Sequence, residues 1–63
     1  MGAKLVQYFD LVSKKEGLVS KMRLAMKTGV ASVDAPNVPD SPENLAKFYE
    51  AAKEILGAGV PKL

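Results

Sequence analysis

The sequence predicts a small all-α domain of three helices, arranged as a helical hairpin plus a third helix after a proline-containing connector. Apolar residues recur at three- and four-residue spacing in three separate segments, as they do along one face of a helix. Gly17, Gly29 and Gly57 each follow one of these segments, where glycine commonly ends a helix. Pro36 and Pro39 lie in the longest stretch that lacks helical periodicity.

These signals give the expected boundaries of a single domain over residues 1–63, since a chain of 63 residues is one domain in length. Gly17 alone separates the first two helices, so we favour a tight hairpin, with one longer bent helix as the alternative. The segment after the third helix is expected to be extended and to fray. The predicted elements are helices at about 3–16, 18–28 and 41–56, a connector at 29–40 and a C-terminal tail at 57–63.

The third helix has the clearest start. The Ser41 hydroxyl can accept from a free N–H group of the first turn, and Pro42 suits the first helical position. Glu43 places a negative charge near the positive end of the helix dipole. If the boundary shifts by one residue, Asp40 is the alternative cap. The apolar face of this helix consists of Leu45, Phe48, Tyr49, Ala52, Ile55 and Leu56.

The first two helices are predicted to cover that face. On the first helix the apolar face is Leu5, Tyr8, Phe9 and Val12, flanked by Val6 and Leu11. On the second it is Leu18, Val19, Met22, Ala25 and Met26. Val33 and Val38 are expected to hold the connector onto the core. The predicted core is therefore Leu5, Phe9, Val12, Leu18, Met22, Ala25, Leu45, Phe48, Ala52 and Ile55.

The composition offers few groups for catalysis. The chain contains no histidine and no cysteine, which removes the commonest acid–base catalyst, thiolate metal sites and disulfides. Its serines lack a recognisable activating base, and no phosphate-binding glycine motif is present. Glu50 and Glu54 are interpreted as a solvated helix face. We therefore predict no catalytic, cofactor-binding or metal-binding residue and a protein that is not an enzyme.

Hydropathy bears on the cellular location. No apolar run approaches the roughly 20 residues of a membrane span. The first residues lack the long apolar region of a signal peptide, so we expect a cytoplasmic protein. A peripheral membrane helix over Leu18–Lys27 is disfavoured, because its apolar positions are needed to cover the third helix.

Small size favours a binding partner. A chain of this length buries only about 60% of its unfolded surface, and no disulfide or thiolate-bound metal reinforces it. Leu11 and Leu24 lie near the polar sides of their helices, and Met26 is a flexible apolar residue suited to adaptable surfaces. We therefore predict a protein–protein interaction module that self-associates or is an accessory subunit of a larger assembly. Its possible interaction surface is Leu11, Leu24 and Met26.

The uneven charge supports an alternative function. Residues 1–33 carry six basic and two acidic side chains, whereas residues 34–63 carry three and five. Cations on the first two helices can contact phosphates without reading sequence. The alternative is thus a weak, sequence-independent nucleic-acid-binding protein or small regulator. Its possible basic patch is Lys14, Lys15, Lys21, Arg23 and Lys27.

Overall fold

The computed structural model describes residues 2–63 and confirms the predicted three-helix, all-α fold. The described residues contain no strand, and each of the three α-helices contacts the other two. The helices are α1 (Ala3–Glu16), α2 (Leu18–Thr28) and α3 (Pro42–Leu56), with a short 3-10 turn, Ala35–Asn37, in the connector.

Gly17 separates α1 from α2. Its φ of +92° and ψ of −176° lie in a region that side chains disfavour, and its N–H donates to the Ser13 carbonyl at 2.8 Å. The backbone therefore leaves α1 and begins a new helix within one residue. The hairpin interpretation, with two separate helices in contact, agrees with this geometry, and a single bent helix does not.

α3 begins at the position and with the cap that the sequence predicts. Ser41 is the cap, and its hydroxyl accepts from the Asn44 N–H at 3.2 Å. Asp40, the alternative cap, instead accepts from the Lys4 N–H at 3.2 Å, in the first turn of α1. A connector carboxylate thus satisfies one of the free N–H groups of a helix whose second residue lies 36 positions earlier.

An aromatic cluster between α1 and α3 forms the centre of the core. The Phe9 and Phe48 rings pack edge to face at 5.6 Å, and Tyr8 and Phe48 lie 6.4 Å apart. Ala25, Leu45 and Ile55, predicted as core, are half-buried against this cluster. The buried apolar residues are Leu5, Tyr8, Phe9, Val12, Leu24, Ala35, Phe48, Ala51, Ala52 and Val60.

The prediction for α2 was wrong in its orientation. Leu18 and Met22, expected in the core, are 70% and 61% exposed, whereas Leu24 is completely buried. The residues of α2 that face inward are Ser20, Leu24 and Thr28, at four-residue spacing. Two small side chains on either side of one leucine let α2 approach a core that the aromatic rings already fill. The Thr28 hydroxyl donates to the Leu24 carbonyl at 2.8 Å, which reduces the cost of burying it.

The connector is anchored at Ala35, which is completely buried, and not at Val33, which is 80% exposed. The predicted role of Val33 is therefore wrong, while Val38 is half-buried against the core as expected. The Gly2 N–H donates to the Pro36 carbonyl at 3.1 Å, so the start of α1 lies directly on the 3-10 turn. The backbone at Gly2 therefore packs directly against the backbone of the connector around Ala35.

The C-terminal tail packs against the helices, which contradicts the expectation that it frays. Val60 is 94% buried within the core cluster. The Leu63 N–H donates to the Tyr8 hydroxyl at 3.0 Å, and the Lys62 ammonium lies 5.4 Å from the centre of the Tyr49 ring. The tail thus contacts both α1 and α3.

Candidate interaction surface on helix α2

The outward side of α2 carries four large apolar side chains. Leu18 and Val19 are each 70% exposed, Met22 is 61% exposed and Met26 is 82% exposed. At 100° per residue these four positions cover an arc of about 100° that lies opposite Leu24. We call them the α2 stripe. The helix therefore presents its more apolar side to solvent and its smaller side chains to the core.

Exposed apolar residues are concentrated in this part of the molecule. Across residues 2–63, the large hydrophobic side chains that are mostly exposed are those of the α2 stripe and Val33. Singly scattered apolar residues are normal on a protein surface, but a contiguous group typically marks an interaction site. The distribution singles out α2 and the residues that follow it.

An open groove lies beside the α2 stripe. It encloses about 350 Å³, and its walls come from α2 and from the chain just after the helix ends at Gly29. Ala31 and Ser32 contribute the lining from the connector, and both have short side chains. The groove is lined by Leu18, Lys21, Met22, Ala25, Met26, Ala31 and Ser32.

Positive charge borders the stripe on both sides. Lys21 and Arg23 lie at about 100° on either side of Met22 around the helix axis. Arg23 is exposed and Lys21 is half-buried. No acidic residue occurs within α2. Any partner that covers the stripe therefore meets cations along both of its edges.

The predicted basic patch is only partly formed. Lys14 and Lys15 are exposed in the last turn of α1, close in sequence to the start of α2. Lys27, in contrast, lies towards the core side of α2, and its ammonium is 3.1 Å from a carboxylate oxygen of Glu54 on α3. Lys27 is therefore already paired with an acidic residue, although it lies one helical turn from Arg23.

The predicted interaction residues divide in the structure. Met26 is the most exposed member of the α2 stripe, but placing Leu24 on a surface was wrong because its side chain is completely buried. Leu11 is half-buried against the core and lines a different groove, beside Lys14 and Pro61. Leu18, Val19 and Met22 were missed as surface residues. One signal in the sequence could have identified them. Ser20 and Thr28 lie four positions before and after Leu24, and α2 turns these three residues towards the core.

Away from α2, the surface of the described residues has grooves but no metal-binding cluster. Within 2–63, no group of three or more carboxylate, imidazole or thiol side chains is placed to hold a metal ion. A third groove, of about 350 Å³, lies between α1, α3 and the tail. Two of its polar groups already have partners, since the Tyr8 hydroxyl accepts from Leu63 and Lys62 lies over Tyr49. None of the helices between residues 2 and 63 combines the length and the apolar character needed to cross a bilayer.

Known proteins add no family to these observations. No protein-family model matches the chain, and no curated protein or solved structure matches it significantly. The chemical character of the α2 stripe and its basic borders is therefore what bears on function.

Proposed function

We propose that the protein is a non-catalytic interaction module that binds another protein surface through the α2 stripe, either by self-association or as an accessory subunit of a larger assembly. The observation that carries the proposal is the outward direction of Leu18, Val19, Met22 and Met26. Full burial of such a side chain is worth roughly 1.5–3 kcal/mol. Four of them offset a large part of the cost of association.

The chemistry of the stripe supports the same proposal. Met22 and Met26 have flexible, polarisable side chains that adapt to the shape of a partner. Arg23 stands at the border, and methionine and arginine are both enriched at protein interfaces. The remaining two members, Leu18 and Val19, provide apolar area at the start of the helix.

The test combines sedimentation equilibrium at micromolar concentration with affinity capture from a native extract. Met22→Glu places a charge in the centre of the stripe, and Gln7→Glu makes the same change of charge at an exposed position on α1. We expect self-association or a captured partner for the native chain and for Gln7→Glu, and neither for Met22→Glu. A clean monomer with no partner contradicts the proposal, as does binding that Met22→Glu leaves intact.

A second candidate function is weak, sequence-independent nucleic-acid binding. It is supported by the exposed cations Lys14, Lys15 and Arg23 and by the absence of acidic residues from α2. Fluorescence anisotropy with labelled DNA and RNA at low salt tests it. A flat signal with both nucleic acids at micromolar protein removes this candidate and leaves the cations as a solvated border.

A further inference from the structure

We infer that the α2 stripe binds the apolar face of an amphipathic helix from a different protein, and that acidic residues flank this face on the partner helix. The inference rests on the proposed function and specifies the partner. It combines the shape of the groove beside α2, the charge at the borders of the stripe and the absence of a matching surface on this chain.

The shape of the surface suits a helix. α2 has 11 residues, which corresponds to a length of about 16 Å or three helical turns. A partner helix of similar length can place side chains from successive turns along the stripe, in the helix-in-groove mode of recognition. The groove of about 350 Å³, lined by the short side chains of Ala31 and Ser32, gives those side chains space beside Met22 and Met26.

The borders of the stripe specify the charge of the partner. Lys21 and Arg23 stand on opposite sides of the apolar arc, so a helix lying along it has flanking positions near both cations. Carboxylates at those positions form ion pairs, whereas lysine or arginine there is repelled. Since α2 has no acidic residue, no side chain within the helix can offset the repulsion between these cations and a basic partner.

A second copy of this chain does not meet these requirements. A two-fold axis that pairs α2 with α2 opposes Lys21 to Lys21 in an antiparallel pair, and Lys21 to Arg23 in a parallel pair. Both arrangements bring only cations together. The other helices cannot serve as the acidic partner either, because the apolar faces of α1 and α3 are already used in the core.

A lipid surface is also a poorer match than a helix. The sequence-based objection to membrane binding no longer holds, since Leu18 and Met22 do not cover α3. However, the stripe contains neither tryptophan nor phenylalanine, and Leu18 is its only member of a residue type that interfacial helices favour for insertion. The groove beside the stripe is concave, and a flat bilayer surface leaves it unfilled.

The experiment selects partner helices against the folded, full-length chain. A display library presents amphipathic helices whose apolar positions vary among leucine, isoleucine, methionine and phenylalanine, and whose flanking positions vary among glutamate, glutamine and lysine. We expect enrichment of glutamate over lysine at the flanks, against the native chain and Gln7→Glu but not against Met22→Glu. The inference is overturned if no peptide is enriched, or if the enrichment is the same against Met22→Glu as against the native chain. It is also overturned if lysine is enriched as strongly as glutamate at the flanking positions.

A charge-swap variant tests the borders directly. In Lys21→Glu/Arg23→Glu, we expect the affinity for a glutamate-flanked peptide to fall about tenfold and the preference to reverse towards lysine. Lys21→Gln/Arg23→Gln is the milder variant if the two glutamates disturb the helix. Circular dichroism verifies that both double variants are folded. An unchanged preference in a folded variant contradicts the inference.

Two further measurements distinguish the alternatives. The first is binding to vesicles of phosphatidylserine and phosphatidylcholine. If the native chain binds these vesicles, Met22→Glu abolishes that binding and no peptide is enriched, the inference is overturned in favour of a lipid surface. Peptide enrichment without a charge preference overturns the inference but leaves the proposed function standing. The sedimentation and capture experiments with Met22→Glu decide the proposed function separately from the peptide selection.

Discussion

Gly2 marks the closest approach between α1 and the connector. A Cβ atom at this position would overlap the Ala35 carbonyl oxygen and lie 2.6 Å from the Val38 carbonyl oxygen. Both neighbours are backbone atoms, which cannot move aside by rotation of a side chain. Close packing, and not an unusual backbone angle, is therefore what requires glycine here, since the φ of Gly2 is −77°.

We expect Gly2→Ala to reduce the free energy of unfolding by about 1–3 kcal/mol, the usual cost of overpacking. Gly59→Ala is the control, because a Cβ there meets no atom within 4 Å and the position has no positive φ. Urea denaturation followed by circular dichroism measures both variants. Equal stability of the two would mean that the contact at Gly2 does not restrict side-chain size.

Thr28 secures the inward side of α2 with a buried hydroxyl. Besides donating to Leu24, its oxygen accepts from the Val30 N–H at 3.3 Å, just beyond the end of the helix. We expect Thr28→Val, which keeps the shape and removes both hydrogen bonds, to lower the free energy of unfolding by about 1–2 kcal/mol. Thr28→Ser retains the hydroxyl and should cost less in the same urea denaturation. A greater loss for serine than for valine would contradict the role of the hydrogen bonds.

At the scale of elements, the orientation of α2 gives the sharpest prediction. We expect Leu24→Ala to destabilise the fold by about 2–5 kcal/mol, because it empties a fully buried site. Met22→Ala should change the free energy of unfolding by less than about 0.5 kcal/mol, since Met22 is mostly exposed. Thermal and urea denaturation measure the stability of the two variants.

Leu24→Met provides a further check if the alanine variant does not fold, because a swap of similar volume should cost less than about 1.5 kcal/mol. A reversed order, with Met22→Ala more destabilising than Leu24→Ala, would contradict the observed orientation of α2. It would also remove the α2 stripe as a surface.

The existence and ends of the helices could be predicted from the sequence, because the signals are local. Gly17 and Gly57 adopt positive φ values where a helix ends, and Ser41 caps α3 through a hydrogen bond within its own first turn. The buried face of α1 was also predicted correctly, since its polar residues form one narrow arc. For α2, either of two faces could have been the buried one. Hydrophobicity favoured the face that is exposed to solvent in the structure.

At the scale of the whole molecule, the chain is compact. Its accessible surface is 3911 Å², against about 3,900 Å² expected for a folded monomer of this mass. The α2 stripe is therefore not the result of incomplete collapse. The aromatic cluster, Ala51 and Val60 are among the residues that fill the interior, and the α2 stripe lies outside it.

We expect the isolated chain to unfold at a temperature that does not depend on its own concentration over about a hundredfold range, because a basic border on both sides of the stripe disfavours pairing with a second copy. Differential scanning fluorimetry and calorimetry measure the midpoint. A midpoint that rises with concentration would show self-association and would count against a partner from a different protein. Addition of a selected acidic helix should raise the midpoint for the native chain and not for Met22→Glu.

The sequence by itself determined the three helices, the Ser41 cap, the glycines that end the helices and the lack of histidine and cysteine, because these depend on neighbouring residues or on composition alone. Only the tertiary structure decided which side of α2 faces inward, that Asp40 caps α1, and that Val60 enters the core. Those outcomes depend on contacts between residues far apart in the chain, which select the side chains that share the core. The exposed α2 stripe, on which the proposed function depends, follows from that selection.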